Sequence, residues 1–129
     1  MNKKLKALIT VGGTGGHVFP GINLASALIK KNYSVKIITD KRGYKFFKET
    51  DKNKILVFPS SPLIKKNIVL LIFSFLLILY SILRSLLFLL YNRPNIIFGM
   101  GGYASFPICI AAAMLRIKFV IYENNLIIG

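Results

Sequence analysis

Apolar and polar positions in this chain alternate between short β-type runs and longer helical stretches. Leu5–Val11 is a β-prone apolar run. Val18–Lys31 follows it, with Ile22, Leu24, Ala25, Leu28 and Ile29 roughly on one face of a helix. Ser34–Thr39 predicts a second strand. The polar stretch Asp40–Lys54 predicts a short helix around Tyr44–Glu49, and Ile55–Pro59 a third strand. A long apolar helix is expected from about Leu63 to Asn92, a strand over Asn95–Gly99, a helix over Ala104–Leu115 and a fifth strand over Lys118–Tyr122. Regular β-α alternation argues for an α/β domain, a Rossmann-like parallel sheet with helices on both faces. A strand order of 3-2-1-4-5 would gather the segments after strands one, four and five around one crevice, where ligands of such sheets bind.

The long helix changes this picture most. Ile68 to Leu83 carries no charge, and only Arg84 interrupts the run before Tyr91. Its length meets the criterion of about 20 apolar residues for crossing a bilayer. It also links two strands of the expected sheet, which a spanning helix would leave on opposite sides of the membrane. Asn67, Ser74, Ser81, Ser85 and Asn92 fall on one narrow strip of the helix. Nearly everything else is Leu, Ile, Phe or Val, more apolar surface than one face of a domain this size can cover. The surplus is flanked by Lys65 and Lys66 at one end and Arg93 at the other. It predicts an interfacial membrane attachment in preference to a core or partner-protein interface or a true span.

Composition adds a strong field. Lys and Arg total 18 against 4 acids, a net charge of +14 over 129 residues. The field favours anions such as phospholipid headgroups and diphosphates, although a general Lys, Asn and Ile bias accounts for part of it. The basic residues are scattered, with no Arg-rich stripe and no RNA-binding aromatic signature, so nucleic acid is not an expected partner. Cys109 stands alone in an apolar stretch and reads as a small buried hydrophobe, with neither disulfide nor metal cluster implied. Lys3, Lys4 and Lys6 precede an apolar run, Ala7–Val11, that is too short for a signal-peptide core. The chain reads as cytosolic.

The candidate chemistry sits at the strand ends. Gly12-Gly13-Thr14-Gly15-Gly16-His17 follows the first strand and opens a helix. Glycines allow close backbone approach to a ligand, and a helix N-terminus favours negative charge, so the pattern is a diphosphate cradle. A plain tight turn is the alternative. His17, the one histidine, could accept a proton from a substrate hydroxyl, because the helix N-terminus disfavours its charged form. A capping or packing histidine is the alternative there. Gly99-Met100-Gly101-Gly102-Tyr103 forms a second glycine loop, again before a helix. Glu123 and Asn125 follow the last strand. Glu123 could orient His17 or hold sugar hydroxyls, and Asn125 could bond a sugar or uracil edge; a polar turn is the other reading. A dinucleotide module is disfavoured, since the loop lacks G-x-G-x-x-G spacing and the ribose-binding acid would have to be Asp40.

Gly12-Gly13-Thr14-Gly15-Gly16-His17-Val18-Phe19-Pro20-Gly21 and Gly99-Met100-Gly101-Gly102-Tyr103 resemble the two N-domain glycine loops of the MurG family, in order and spacing over the whole chain. That family comprises the N-acetylglucosaminyltransferases that convert lipid I to lipid II in peptidoglycan synthesis. The resemblance implies the N-terminal half of a two-domain GT-B enzyme, inverting, peripheral on the cytoplasmic face of the bacterial inner membrane, and independent of metal or cofactor. It implies an undecaprenyl-diphosphate-linked acceptor, UDP-N-acetylglucosamine as donor and anionic inner-membrane lipids as partners. Carried over by position, Thr14, Gly15, Gly16 and Asn125 would touch the donor. His17 would be the base for the acceptor 4-hydroxyl, and Gly101, Gly102 and Tyr103 would lie near the acceptor diphosphate. The family's usual His-Glu-Gln-Asn after strand five is here Tyr122-Glu123-Asn124-Asn125, which keeps Glu and the final Asn. Residues 1–129 are expected to be a truncated acceptor-binding domain without its donor-binding C-terminal domain, inactive alone. The runner-up is the membrane-recruiting, acceptor-binding subunit of a split two-component lipid-linked glycosyltransferase.

Overall fold

The computed structural model describes residues 4–12, 15–47, 55–58, 67–101 and 105–122. The strands are β1 (Lys6–Thr10), β2 (Ser34–Thr39), β3 (Ile55–Val57), β4 (Ile96–Gly99) and β5 (Phe119–Ile121). They alternate with α1 (Gly15–Lys30), α2 (Lys41–Tyr44), α3 (Ile68–Tyr91) and α4 (Ser105–Met114). All pairings are parallel and the order is β3-β2-β1-β4-β5, as the alternation predicted.

The central strand β1 is buried on both faces, which is why its apolar run is continuous. Ala7, Ile9 and Val11 point into a core with Val18, Ala25 and Leu28 of the α1 side and with Ile37 and Ile55. Leu8 points the other way, into a second core with Ile38, Leu89, Ile97, Ile108, Ala111 and Ala112 beneath α3 and α4. Each large aliphatic side chain buried this way contributes about 1.5–3 kcal/mol.

Local signals set the helix ends. α1 closes on Asn32, whose φ of 70° lies in the left-handed region. Tyr33 N–H then reaches back to Leu28 O at 3.0 Å, the usual way of satisfying terminal carbonyls. Asn67 caps α3, its Oδ1 accepting from Val69 N–H at 2.9 Å.

Three expectations needed correction. α1 starts at Gly15 and not at Val18, so Gly15, Gly16 and His17 belong to its first turn; low glycine propensity hid helix that the fold enforces. The short helix lies at Lys41–Tyr44, earlier than Tyr44–Glu49, because Asp40 caps it by accepting from Gly43 N–H at 2.8 Å; residues 48–50 lie outside the described set. Ile29 is 55% exposed, so it leaves the buried face formed by Ala25 and Leu28.

α3 has 24 residues, about 36 Å at 1.5 Å per residue, and is long and apolar enough to cross a membrane by length and composition. Its serines Ser74, Ser81 and Ser85 are buried, while Phe73, Leu76, Leu83 and Leu87 are more than half exposed. Small side chains let α3 lie close on α4, its main partner. Ser81 Oγ donates to Leu77 O at 2.9 Å and Ser85 Oγ to Ser81 O at 2.7 Å, so both hydroxyls are satisfied within the helix. The buried strip of the helix is thus three serines and Leu89, while most of its large apolar side chains turn outward.

Candidate functional site

The site is built where β1 and β4 end. Thr10 and Gly99 are register partners, and Met100 N–H donates to Thr10 O at 2.8 Å, so the two glycine-rich segments leave the sheet side by side. Each then enters a helix, α1 at Gly15 and α4 at Ser105. The positive ends of two helix dipoles thus face one carboxyl edge, an arrangement suited to a diphosphate.

Ser105 fastens the second segment to the first. It is buried, and its Oγ lies 2.8 Å from Gly101 O and 3.1 Å from Thr10 O, sharing one proton between them. Gly101 has φ of 92°, a conformation that side chains strongly resist, so the turn requires glycine here. The sequence pattern alone does not single out Ser105. Its signal was a serine in the first turn after a glycine run, a position where hydroxyls commonly bond local carbonyls or amides.

Asp40 follows β2 on the same edge, buried, with its carboxylate engaged by Gly43 N–H. A Cβ on Gly43 would overlap Thr39 Oγ1 and stand 2.9 Å from Gly12 O, so α2 is seated directly on the base of the first loop. Neither residue was singled out for this from sequence, since the contact is between backbones that only the fold brings together.

Of the sequence-derived site residues, Gly15, Gly16 and His17 fall in the first turn of α1, and Gly101 falls after β4. The register of β1 with β4 brings these two groups to one edge. Thr14, Gly102, Tyr103, Glu123 and Asn125 lie outside the described residues, as does the placement of the His17 side chain. Among the described residues no group of His, Cys, Asp and Glu could hold a metal ion. Cys109 is partly buried, and that burial raises its thiol pKa, keeping it neutral. A groove of about 520 Å³ lies at the opposite, amino edge of the sheet, lined by Lys4, Ile29, Tyr33, Ser34 and Lys36 among others, away from both glycine loops.

Residues 7–129 match the glycosyltransferase family 28 N-terminal domain. The chain belongs to this family. Its likeness to MurG-type relatives extends over the whole sequence. A Pelagibacter ubique protein named UDP-N-acetylglucosamine–N-acetylmuramyl-(pentapeptide) pyrophosphoryl-undecaprenol N-acetylglucosamine transferase is 35% identical, aligned over 100% of this chain and 35% of its own length. A protein of the same name from Bartonella bacilliformis is 36% identical, over 99% of this chain and 34% of its own. The chain therefore spans about a third of the length of these relatives.

Among solved structures, Acinetobacter baumannii MurG shares the fold at a TM-score of 0.77 and 24% identity, over 97% of this chain and 37% of its own. A hydrogenase domain from Pyrococcus furiosus also reaches a TM-score of 0.61 at 13% identity, over 95% of this chain and 94% of its own. The Rossmann-like fold alone does not select a chemistry. The family assignment comes from the sequence of the glycosyltransferase domain itself.

Proposed function

We propose that this chain is the acceptor-binding N-terminal domain of an N-acetylglucosaminyltransferase that turns lipid I into lipid II in peptidoglycan synthesis. The observation that carries this is the pairing of Thr10 with Gly99, which sets both glycine segments and two helix N-termini at one edge. The names of its relatives supply the substrate class.

In this reading the acceptor diphosphate lies near Gly101, Gly102 and Tyr103. His17, oriented by Glu123, takes the proton from the acceptor 4-hydroxyl. That oxygen attacks the anomeric carbon of N-acetylglucosamine from the face opposite UDP. The new C–O bond forms as the bond to the diphosphate breaks, configuration inverts, and UDP leaves with the electron pair. Thr14, Gly15, Gly16 and Asn125 contact the donor, most of which is held by a C-terminal domain of the kind its relatives have room for. No cofactor is required, since the leaving group is already activated.

The outward apolar face of α3 supports peripheral attachment to the cytoplasmic face of the bacterial inner membrane, with anionic lipids met by the positive field. A split two-component transferase is the second reading, and the names of the relatives lend it no support. The test is transfer of labelled N-acetylglucosamine from UDP-N-acetylglucosamine to lipid I by this chain joined to a family donor domain. Labelled lipid II is expected from the joined protein and none from residues 1–129 alone. Absence of product from a folded joined protein would remove the proposal.

A further inference from the structure

We propose that α2 and the residues just after it form a subsite for the acceptor's peptide stem, binding its carboxylates; the inference rests on the acceptor reading above. Lys41, Arg42 and Lys45 are all exposed on this short segment. Asp40 is the one acid among the described residues. It is buried with its carboxylate turned to the Gly43 N–H, and Arg42 Nη2 stands 3.9 Å from it, at the limit of ion pairing. The segment therefore shows solvent a net positive face.

Phe46, next in sequence to Lys45, belongs to an exposed aromatic pair. Phe46 meets Phe19 edge to face, with ring centroids 5.7 Å apart and planes at 76°, and the two rings are 41% and 53% exposed. Phe19 is two positions beyond His17 on α1. The platform is also fixed to the glycine loop, because Gly43 packs against Gly12 O without room for a side chain. Cations around an exposed aromatic edge fit a peptide, whose carboxylates pair with Lys and Arg while its aliphatic parts cover the rings. A diphosphate alone would leave the aromatic pair without a role. Nothing in the transfer chemistry itself uses this face.

The test is titration of the 129-residue chain with two soluble acceptor analogues, a short-chain polyprenyl-diphosphate N-acetylmuramyl-pentapeptide and a counterpart whose peptide is replaced by a neutral methylamide on the lactyl carboxyl. Each exposed pair is weak, so the three together are expected to favour the peptide-bearing analogue by about tenfold at low salt. The triple variant Lys41→Ala/Arg42→Ala/Lys45→Ala, whose sites are on the surface, is expected to keep the amide spectrum of the fold and to bind the two analogues equally. Equal binding by the unsubstituted chain, or a preference that survives the triple substitution, overturns the subsite and leaves the acceptor reading standing. Equal weakening toward both analogues also overturns it, since the cations would then serve the diphosphate or the lipid. Failure of the unsubstituted chain to bind either analogue removes the acceptor reading together with the subsite.

Discussion

At the scale of single residues, the first glycine loop depends on a contact outside the loop. Gly43 lies so close to Thr39 Oγ1 and Gly12 O that a methyl group there must displace one of them. Gly43→Ala is expected to lose about 3 kcal/mol in denaturant unfolding, the upper part of the usual overpacking range. Adding Thr39→Ala should recover part of that loss, because it removes the nearer obstacle. Equal stability of Gly43→Ala and the unsubstituted chain would mean that α2 is not seated on the loop. Cys109 makes a second prediction: burial raises its pKa, so iodoacetamide at pH 8 should label it more slowly than a free thiol. Labelling as fast as that of glutathione would contradict the packing around α4. His17→Ala in the joined enzyme should cut turnover by about 10²–10⁴-fold with little change in acceptor affinity, as loss of a general base does.

At the scale of elements, α3 shows what sequence carries and what it does not. The strip of Ser74, Ser81 and Ser85 was visible in the spacing. Its direction was not, because amphipathicity in water would turn serines outward. What decides it is the neighbour: buried Ala111 and Ala112 on α4 accept a close helix, and Ser81 and Ser85 satisfy their hydroxyls on their own backbone. Two substitutions should therefore behave oppositely. Ser85→Leu, at a site with no exposure, is expected to destabilise the fold by about 1–3 kcal/mol while leaving vesicle binding to whatever remains folded. Phe73→Ser with Leu76→Ser, both more than half exposed, should leave stability nearly unchanged and weaken sedimentation with anionic vesicles several-fold. The reverse pattern would put the serines outside and the apolar face within a protein interface.

At the scale of the whole molecule, the sheet order was legible because β-α alternation and right-handed crossovers leave few arrangements. The same order told which strand ends meet, and Thr10 opposite Gly99 is that meeting in the structure. Less legible were contacts between segments distant in sequence: Gly43 on the backbone of Gly12, and the Ser105 hydroxyl on Thr10 O. Residue type can mark Ser105 as a local capping hydroxyl, but neither type nor period names a partner 95 residues away. Ile29 failed for a related reason. Periodicity places it near Ala25 and Leu28, but at the end of α1 it turns toward the amino-edge groove and not the core.

That groove offers the contrast for the most direct test of the central claim, that the carboxyl edge between β1 and β4 is the diphosphate-sugar site. The measurement is an amide NMR titration of the chain with the short-chain diphosphate-linked acceptor analogue. Shifts are predicted at Gly12, Gly16, Met100 and Gly101, with Tyr33, Ser34 and Lys36 unmoved. Shifts confined to the amino-edge residues, with the glycine segments silent, would contradict the account.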